Sequence, residues 1–196
     1  MLILSSNSPR RKELLQGLGI PFKVLVIKGI DESYPDSLPA AEVAEYIAVK
    51  KSAPYRDNLD STDNIVLTAD TVVVCNDDIM GKPSDEQDAF RMLRELSGKT
   101  HQVYTGVCLT KSTIQRHFSV RTDVTFRELT DEEIMHYIHT YKPFDKAGAY
   151  GIQEWIGYIG ITSIHGSYYN VMGLPVQRIY QELKSICPET IKLTDL

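Results

Sequence analysis

The chain is 196 residues long, which fits one domain or one domain with two lobes. Hydrophobic residues make up 42% of it, enough for a core and too many for a disordered chain. With 21 basic and 26 acidic side chains the net charge is −5. That balance argues against a general nucleic-acid binder, while a local basic site for a small anion stays possible.

No apolar run approaches the roughly 20 residues of a membrane helix. Met1 to Ser5 has neither the basic start nor the apolar length of a signal peptide. Cys75, Cys108 and Cys187 are far apart and odd in number, so they form no disulfide framework and no Cys-x-x-Cys clip. A reduced, cytoplasmic setting without membrane partners is expected.

In chain order, residues 1–5 read as a short buried strand. Ser8-Pro9-Arg10 reads as a helix start, with Ser8 as N-cap and Pro9 in the first helical position. Leu14, Leu15 and Leu18 give that helix its apolar face and Gly19 stops it. Pro21 to Ile27 is a second strand, and residues 28–39, with Pro35 and Pro39, form a polar loop. Residues 40–53 show helical spacing at Ala40, Val43, Ala44, Ile47 and Ala48. Arg56 to Asn64 is rich in Asp and Asn and is expected to be exposed.

Ile65 to Ala69 reads as a buried strand that runs into Asp70-Thr71 and resumes at Val72 to Cys75, followed by a turn at Asn76 to Asp78. Asp85 to Leu96 reads as a helix with Ala89, Met92, Leu93 and Leu96 inward. Residues 101–110 and 114–127 form two antiparallel strands. Thr130 to Glu133 is a capping box that opens a helix to about Tyr141. Residues 142–153 are a loop, Tyr158 to Ile164 a strand, Gly166 to Asn170 a turn and residues 174–186 a last helix. The tail, 188–196, is expected to fray. Alternating strands and helices with one hairpin predict an α/β fold with a mixed, twisted sheet flanked by helices.

Several polar clusters could carry chemistry. Ser6-Asn7-Ser8-Pro9-Arg10-Arg11 joins a strand to a helix N-terminus, where free N–H groups, two hydroxyls and two guanidiniums suit a phosphate. The same residues also describe an ordinary cap with solvated arginines, and no Walker-type glycine pattern is present. Asp70 and Thr71 follow a hydrophobic strand, where ligands commonly meet an α/β sheet. There Asp70 could ligate a metal or position a water, or simply cap a turn. Lys82 in Gly81-Lys82-Pro83 could offer a point charge to a phosphate, or be a surface lysine in a turn. Asp145 to Gln153 is glycine-rich, and the amide of Gln153 suits the edge of a base. Gly166 to Pro175 could close a pocket wall. His136 and His139 lie on one helix near Glu132 and Glu133, yet no further ligand is suggested, and they read as surface residues.

Together these segments resemble the Maf family of nucleoside triphosphate pyrophosphatases. The matching stretches are Ser6 to Arg11, Ala69 to Thr71, Gly81 to Pro83, Leu96 to Gly98 with His101 to Gly106, Asp145 to Gln153, and Gly166 to Tyr168 with Asn170 to Pro175. They keep the family order from residue 2 to about 184. The resemblance implies a single domain over 1–196, with two lobes around a central cleft, similar to inosine triphosphate pyrophosphatases. It implies hydrolysis between the α and β phosphates with Mg²⁺ or Mn²⁺, and a homodimer.

By the same resemblance Asp70 matches the proton acceptor, and Arg10, Thr71 and Gln153 match positions tied to substrate choice. Lys146 with Gln153 looks like the dTTP/UTP-preferring branch, whose members accept some modified pyrimidine nucleotides. Arg10, Arg11, Lys51 and Lys82, with the helix start at Ser6 and Ser8, are then expected to neutralise the phosphates. Lys51 is preferred to Lys50 on family spacing. Glu32 in the polar loop is the candidate metal ligand or second carboxylate beside Asp70, or else a solvated glutamate. Two other readings remain at this point: a pyrophosphatase for modified purine triphosphates, and a non-catalytic nucleotide-binding module in division control. One departure from the pattern is Glu154-Trp155, where relatives often carry a glycine.

Overall fold

A computed structural model describes residues 1–56, 64–112, 114–188 and 191. The Asp/Asn-rich stretch after Arg56 and the tail beyond Pro188, Ile191 apart, lie outside the described residues. The first half runs β1 (Leu2–Leu4), α1 (Pro9–Gln16), β2 (Phe22–Val24), α2 (Ala40–Arg56), β3 (Ile65–Cys75), β4 (Asp78–Met80) and α3 (Glu86–Leu96). The second runs β5 (Thr100–Lys111), β6 (Ile114–Phe126), α4 (Asp131–Tyr141), a short 3₁₀ turn (Ala147–Ala149), α5 (Trp155–Gly160), β7 (Ile161–His165), α6 (Tyr168–Met172) and α7 (Val176–Ile186). The strands form one mixed sheet in the order β2-β1-β3-β5-β6-β7, with β4 paired to β3. This is the α/β class with helices around a mixed sheet that the alternation of elements predicts.

The chain divides into two compact units. The first contains Met1–Asp70, Thr105–Val120 and Gly173–Leu196. In it β1 lies parallel to both β2 and β3, with Leu2 opposite Phe22 on one side and Ile65 on the other. β1 and the first five residues of β3 are buried throughout, as a central strand covered on both faces requires. Ser8 caps α1 by accepting from the Arg11 N–H at 3.4 Å, and Pro9 opens the helix.

α1 ends at Gln16, with Gly17 rather than Gly19 as the capping residue. β2 is shorter than Pro21 to Ile27: Leu25 makes one last ladder bond, to Leu4, and beyond it the Ile27 N–H goes to Tyr55 instead of the sheet. The Tyr55 hydroxyl donates to the Leu25 carbonyl at 3.0 Å and accepts from the Ile27 N–H at 2.8 Å. That buried tyrosine also accepts from Ser5 at 2.7 Å, and so anchors the last turn of α2, which runs past residue 53 to Arg56.

α2 packs directly on β5 at Gly106. A Cβ there would lie 2.2 Å from the Ala44 backbone, so only glycine permits this approach.

The second unit contains Thr71–Tyr104 and Arg121–Met172. Its core is built from Met92, Leu93 and Leu96 of α3, Phe126 of β6, Tyr137 and Ile138 of α4, and Ile152 and Ile156. α4 carries the capping box: Thr130 accepts from the Glu133 N–H, and the Glu133 carboxylate accepts from the Thr130 N–H.

Two further elements, both in this unit, differ from expectation. Tyr158 to Ile164 is not one strand: Ile156 and Gly160 face inward four residues apart, so α5 forms first and β7 begins at Ile161. The turn at Gly166 to Asn170 tightens into α6, with Ser167 accepting from the Asn170 N–H at 3.3 Å. β6 and β7 pair antiparallel, with an irregularity between Thr125 and Phe126.

Candidate active site

In the first unit, four of the predicted residues meet. Asp70 lies inside β3 rather than at its end, half-buried with Thr71 in an otherwise buried strand. Its Oδ1 accepts from the Lys51 ammonium at 2.7 Å, and those side chains are only 16% and 15% exposed. The paired carboxylate explains why the strand continues through an aspartate: the charge is satisfied without breaking the ladder. Glu32 reaches the same ammonium at 3.1 Å from the polar loop. Lys50, next in sequence, holds that loop from the other side. Its ammonium donates to Asp31 at 2.7 Å and to the Ser33 carbonyl at 2.8 Å. The Lys50 and Ser33 hydrogen bonds keep the Asp31 carboxyl well below the usual carboxylate range.

Arg11 is held rather than solvated. Its Nε donates to the Gly173 carbonyl and Nη1 to the Ala69 carbonyl, each at 2.8 Å. It therefore braces the strand residue directly before Asp70. Burial lowers the guanidinium pKa and the nearby Asp70 carboxylate raises it again. An arginine stays charged in either case, so Arg11 supplies a fixed positive charge beside Asp70. Ser6 accepts from the Ser8 N–H at 3.2 Å, which shapes the turn into α1, and Arg10 is half-buried in the first turn.

Glu32 and Asp70 are the residues able to hold a divalent cation. Two carboxylates that converge on one ammonium nitrogen can converge on a metal ion, and one or two carboxylates plus substrate phosphates is a common way of binding Mg²⁺. Among the described residues no group of three or more His, Cys, Asp and Glu side chains gathers. The pair therefore fits a site completed by substrate better than an all-protein cage.

The second unit gathers Lys146, Gln153 and Glu154. Lys146 is 8% exposed and pairs with Asp145 at 2.8 Å and Glu154 at 3.1 Å. Glu154 also accepts a hydrogen bond from the Tyr137 hydroxyl, and that hydroxyl accepts from the Gly151 N–H at 3.0 Å. Burial first, then Glu154, pushes the Tyr137 phenol well above its ordinary pKa, which keeps it a donor. The Gln153 Oε1 is buried and has no hydrogen-bond partner among the described residues.

Lys82 is exposed, and the carbonyl of its neighbour Gly81 accepts from the Gly148 N–H at 3.1 Å. That bond ties the Gly-Lys-Pro turn to the glycine-rich loop. Gly148 has φ +67°, and a Cβ there would be 2.9 Å from Val73. His101 is fully buried, its Nε2 2.7 Å from the Tyr150 hydroxyl, and burial lowers its pKa to about 4.

His139 pairs with Glu86 at 2.9 Å and His136 contacts the Trp155 ring edge-on, so neither belongs to these clusters. The residue the sequence pattern passes over is Tyr137. It sits on the apolar face of α4, and its hydroxyl, which needs a partner once buried, was the available signal.

A family model described as Maf-like protein matches residues 1–186. Curated relatives named dTTP/UTP pyrophosphatase are similar over nearly the whole chain. The protein of Phocaeicola vulgatus is 60% identical over 94% of this chain and 95% of its own length. That of Parabacteroides distasonis is 54% identical over 93% and 94%. That of Flavobacterium psychrophilum is 46% identical over 91% of each.

Proposed function

The chain belongs to the Maf family, and from that premise we propose that it hydrolyses dTTP and UTP to the nucleoside monophosphate and pyrophosphate. The observation that carries the chemistry is the meeting of Asp70, Glu32 and Lys51 beside the fixed charge of Arg11. The names of relatives up to 60% identical support the substrate class.

Glu32 and Asp70 would hold the divalent cation, Mg²⁺ or Mn²⁺, whose chemistry when bound is to neutralise phosphate charge and acidify water. Asp70 orients the attacking water and accepts its proton. The water oxygen bonds to the α-phosphorus while the bond from that phosphorus to the bridging oxygen breaks, and pyrophosphate departs with the bridging oxygen. Arg10, Arg11, Lys51 and Lys82 offset the charge that grows on the transferred and leaving oxygens, and the positive end of α1, entered through Ser6 and Ser8, favours the anion. Thr71, beside Asp70, contributes to substrate choice.

Gln153 reads the base. Its buried Oε1 is available to accept from the N3–H of uracil or thymine, while the amide nitrogen donates to the 4-carbonyl. Lys146 marks the same pyrimidine-selective loop. Cys75, Cys108 and Cys187 are buried and form no disulfide among the described residues, which accords with a reducing cytoplasm. Hydrolysis in water labelled with heavy oxygen tests the bond that breaks. Label is expected in the monophosphate; label in the pyrophosphate contradicts attack at the α-phosphorus.

A further inference from the structure

Of the three clustered residues Glu154, Lys146 and Tyr137, only Lys146 has a place in the reading above. Glu154 closes the turn that carries Gln153, since its N–H donates to the Gly151 carbonyl at 3.0 Å. Its carboxylate meets two buried partners, the Tyr137 hydroxyl through one oxygen and the Lys146 ammonium at 3.1 Å through the other. Tyr137 in turn accepts from the Gly151 N–H at 3.0 Å. The first and last residues of the turn Gly151-Ile152-Gln153-Glu154 are thus both tied to one phenol on α4. The packing leaves no slack: a Cβ on Gly151 would lie 2.8 Å from the Glu154 carboxyl carbon and 3.1 Å from the Lys146 side chain.

A base reader built from a primary amide needs such a hold. Facing uracil, the amide oxygen accepts from the ring N3–H and the nitrogen donates to the 4-carbonyl. Facing cytosine, the oxygen accepts from the exocyclic amine and the nitrogen donates to the ring N3. The two pairings exchange the amide oxygen and nitrogen against the same base edge, so the direction in which the amide is turned separates them. A reader held loosely re-aims and reads either.

We propose that Tyr137 and Glu154 are positioning residues for nucleotide selection: together they pin the turn that carries Gln153, and so separate uracil and thymine from cytosine. The proposal rests on the reading of Gln153 as the base-contacting residue. It gives Glu154 a specific task, and it makes Tyr137 part of substrate choice although it lies on a helix core face.

The experiment measures kcat and KM for UTP, dTTP, CTP and GTP with wild type, Tyr137→Phe, Glu154→Gln, the double variant and Gln153→Ala. Tyr137→Phe and Glu154→Gln are each expected to lower the UTP-to-CTP ratio of kcat/KM by about tenfold, the size of one misplaced hydrogen bond. The loss is expected mainly in KM for UTP, with kcat on UTP within about threefold. The double variant is expected to lose little more than either single one, because both act on one turn. The ratio is taken on the same protein sample, so a reduced folded fraction cancels.

An unchanged ratio, or an equal loss of kcat on every nucleotide, overturns the proposal and leaves the cluster a structural one. A wild type without preference for dTTP and UTP, or Gln153→Ala with wild-type ranking, instead overturns the reading of Gln153 on which it rests.

Discussion

The Lys51 ammonium lies 2.7 Å from the Asp70 carboxylate, and Glu32 closes on the same nitrogen at 3.1 Å. Two carboxylates drawn from a loop and a strand are thus organised around one cationic position. The neighbouring Lys50 makes a different set of contacts, to Asp31 and Ser33, at the exposed side of the same loop.

This division predicts unequal consequences for neighbouring lysines. Lys51→Met is expected to lower kcat by about 10²-fold, the scale for losing one charged group that stabilises a transition state. Lys50→Met removes an exposed ion pair to Asp31 and hydrogen bonds to Ser33, and kcat/KM is expected to stay within about fivefold. Steady-state kinetics on UTP check both, and similar losses from the two would show that Lys51 acts only by holding the loop.

His101 predicts a pH dependence of stability. Its folded pKa, about 4, lies below the ordinary 6.5 because burial disfavours the charged ring. Between those values the unfolded chain binds the extra proton, so stability rises with pH across the window from about 4 to 6.5. Acidification through that window is expected to cost about 3 kcal/mol from this residue. Melting temperature against pH should therefore slope upward in wild type, and less so in His101→Gln. Parallel curves would show that His101 is not the group responsible.

Gly106 predicts a steric failure. Gly106→Ala drives a methyl to 2.2 Å from the Ala44 backbone, which α2 or β5 must move to relieve. A loss of about 3 kcal/mol or more is expected, at the upper end for overpacking. Denaturant unfolding checks it, and a midpoint near that of wild type would contradict the close approach of α2 to β5.

Much of this was legible in the residues themselves. Ser8 and Pro9 mark the start of α1, Thr130 and Glu133 mark α4, and the apolar run of Ile65 to Ala69 marks β3, because caps and buried runs are local signals. Tyr158 to Ile164 read wrongly because the inward residues, Ile156 and Gly160, bracket its start, and one glycine carries no apolar signal. The pairing of Lys51 with Asp70 is 19 residues long-range and could not be seen from spacing within either element. Family resemblance pointed to Lys51 over Lys50, and the two lysines make different contacts, Lys51 to Asp70 and Glu32 and Lys50 to Asp31 and Ser33. Tyr137 read as core from its place on the apolar face of α4; its hydroxyl signalled that a partner was needed, but not which one, and the partners, Glu154 and Gly151, lie 17 and 14 residues away.

The most direct test is pyrophosphate release from a panel of nucleoside triphosphates, with Mg²⁺ or Mn²⁺, with chelator, and with Asp70→Asn in parallel. Metal-dependent release from dTTP and UTP is expected, with kcat lowered roughly 10²–10⁴-fold in Asp70→Asn, the range for loss of a general base. Near wild-type turnover by a folded Asp70→Asn, or no release from any nucleotide by the folded wild type, would contradict it.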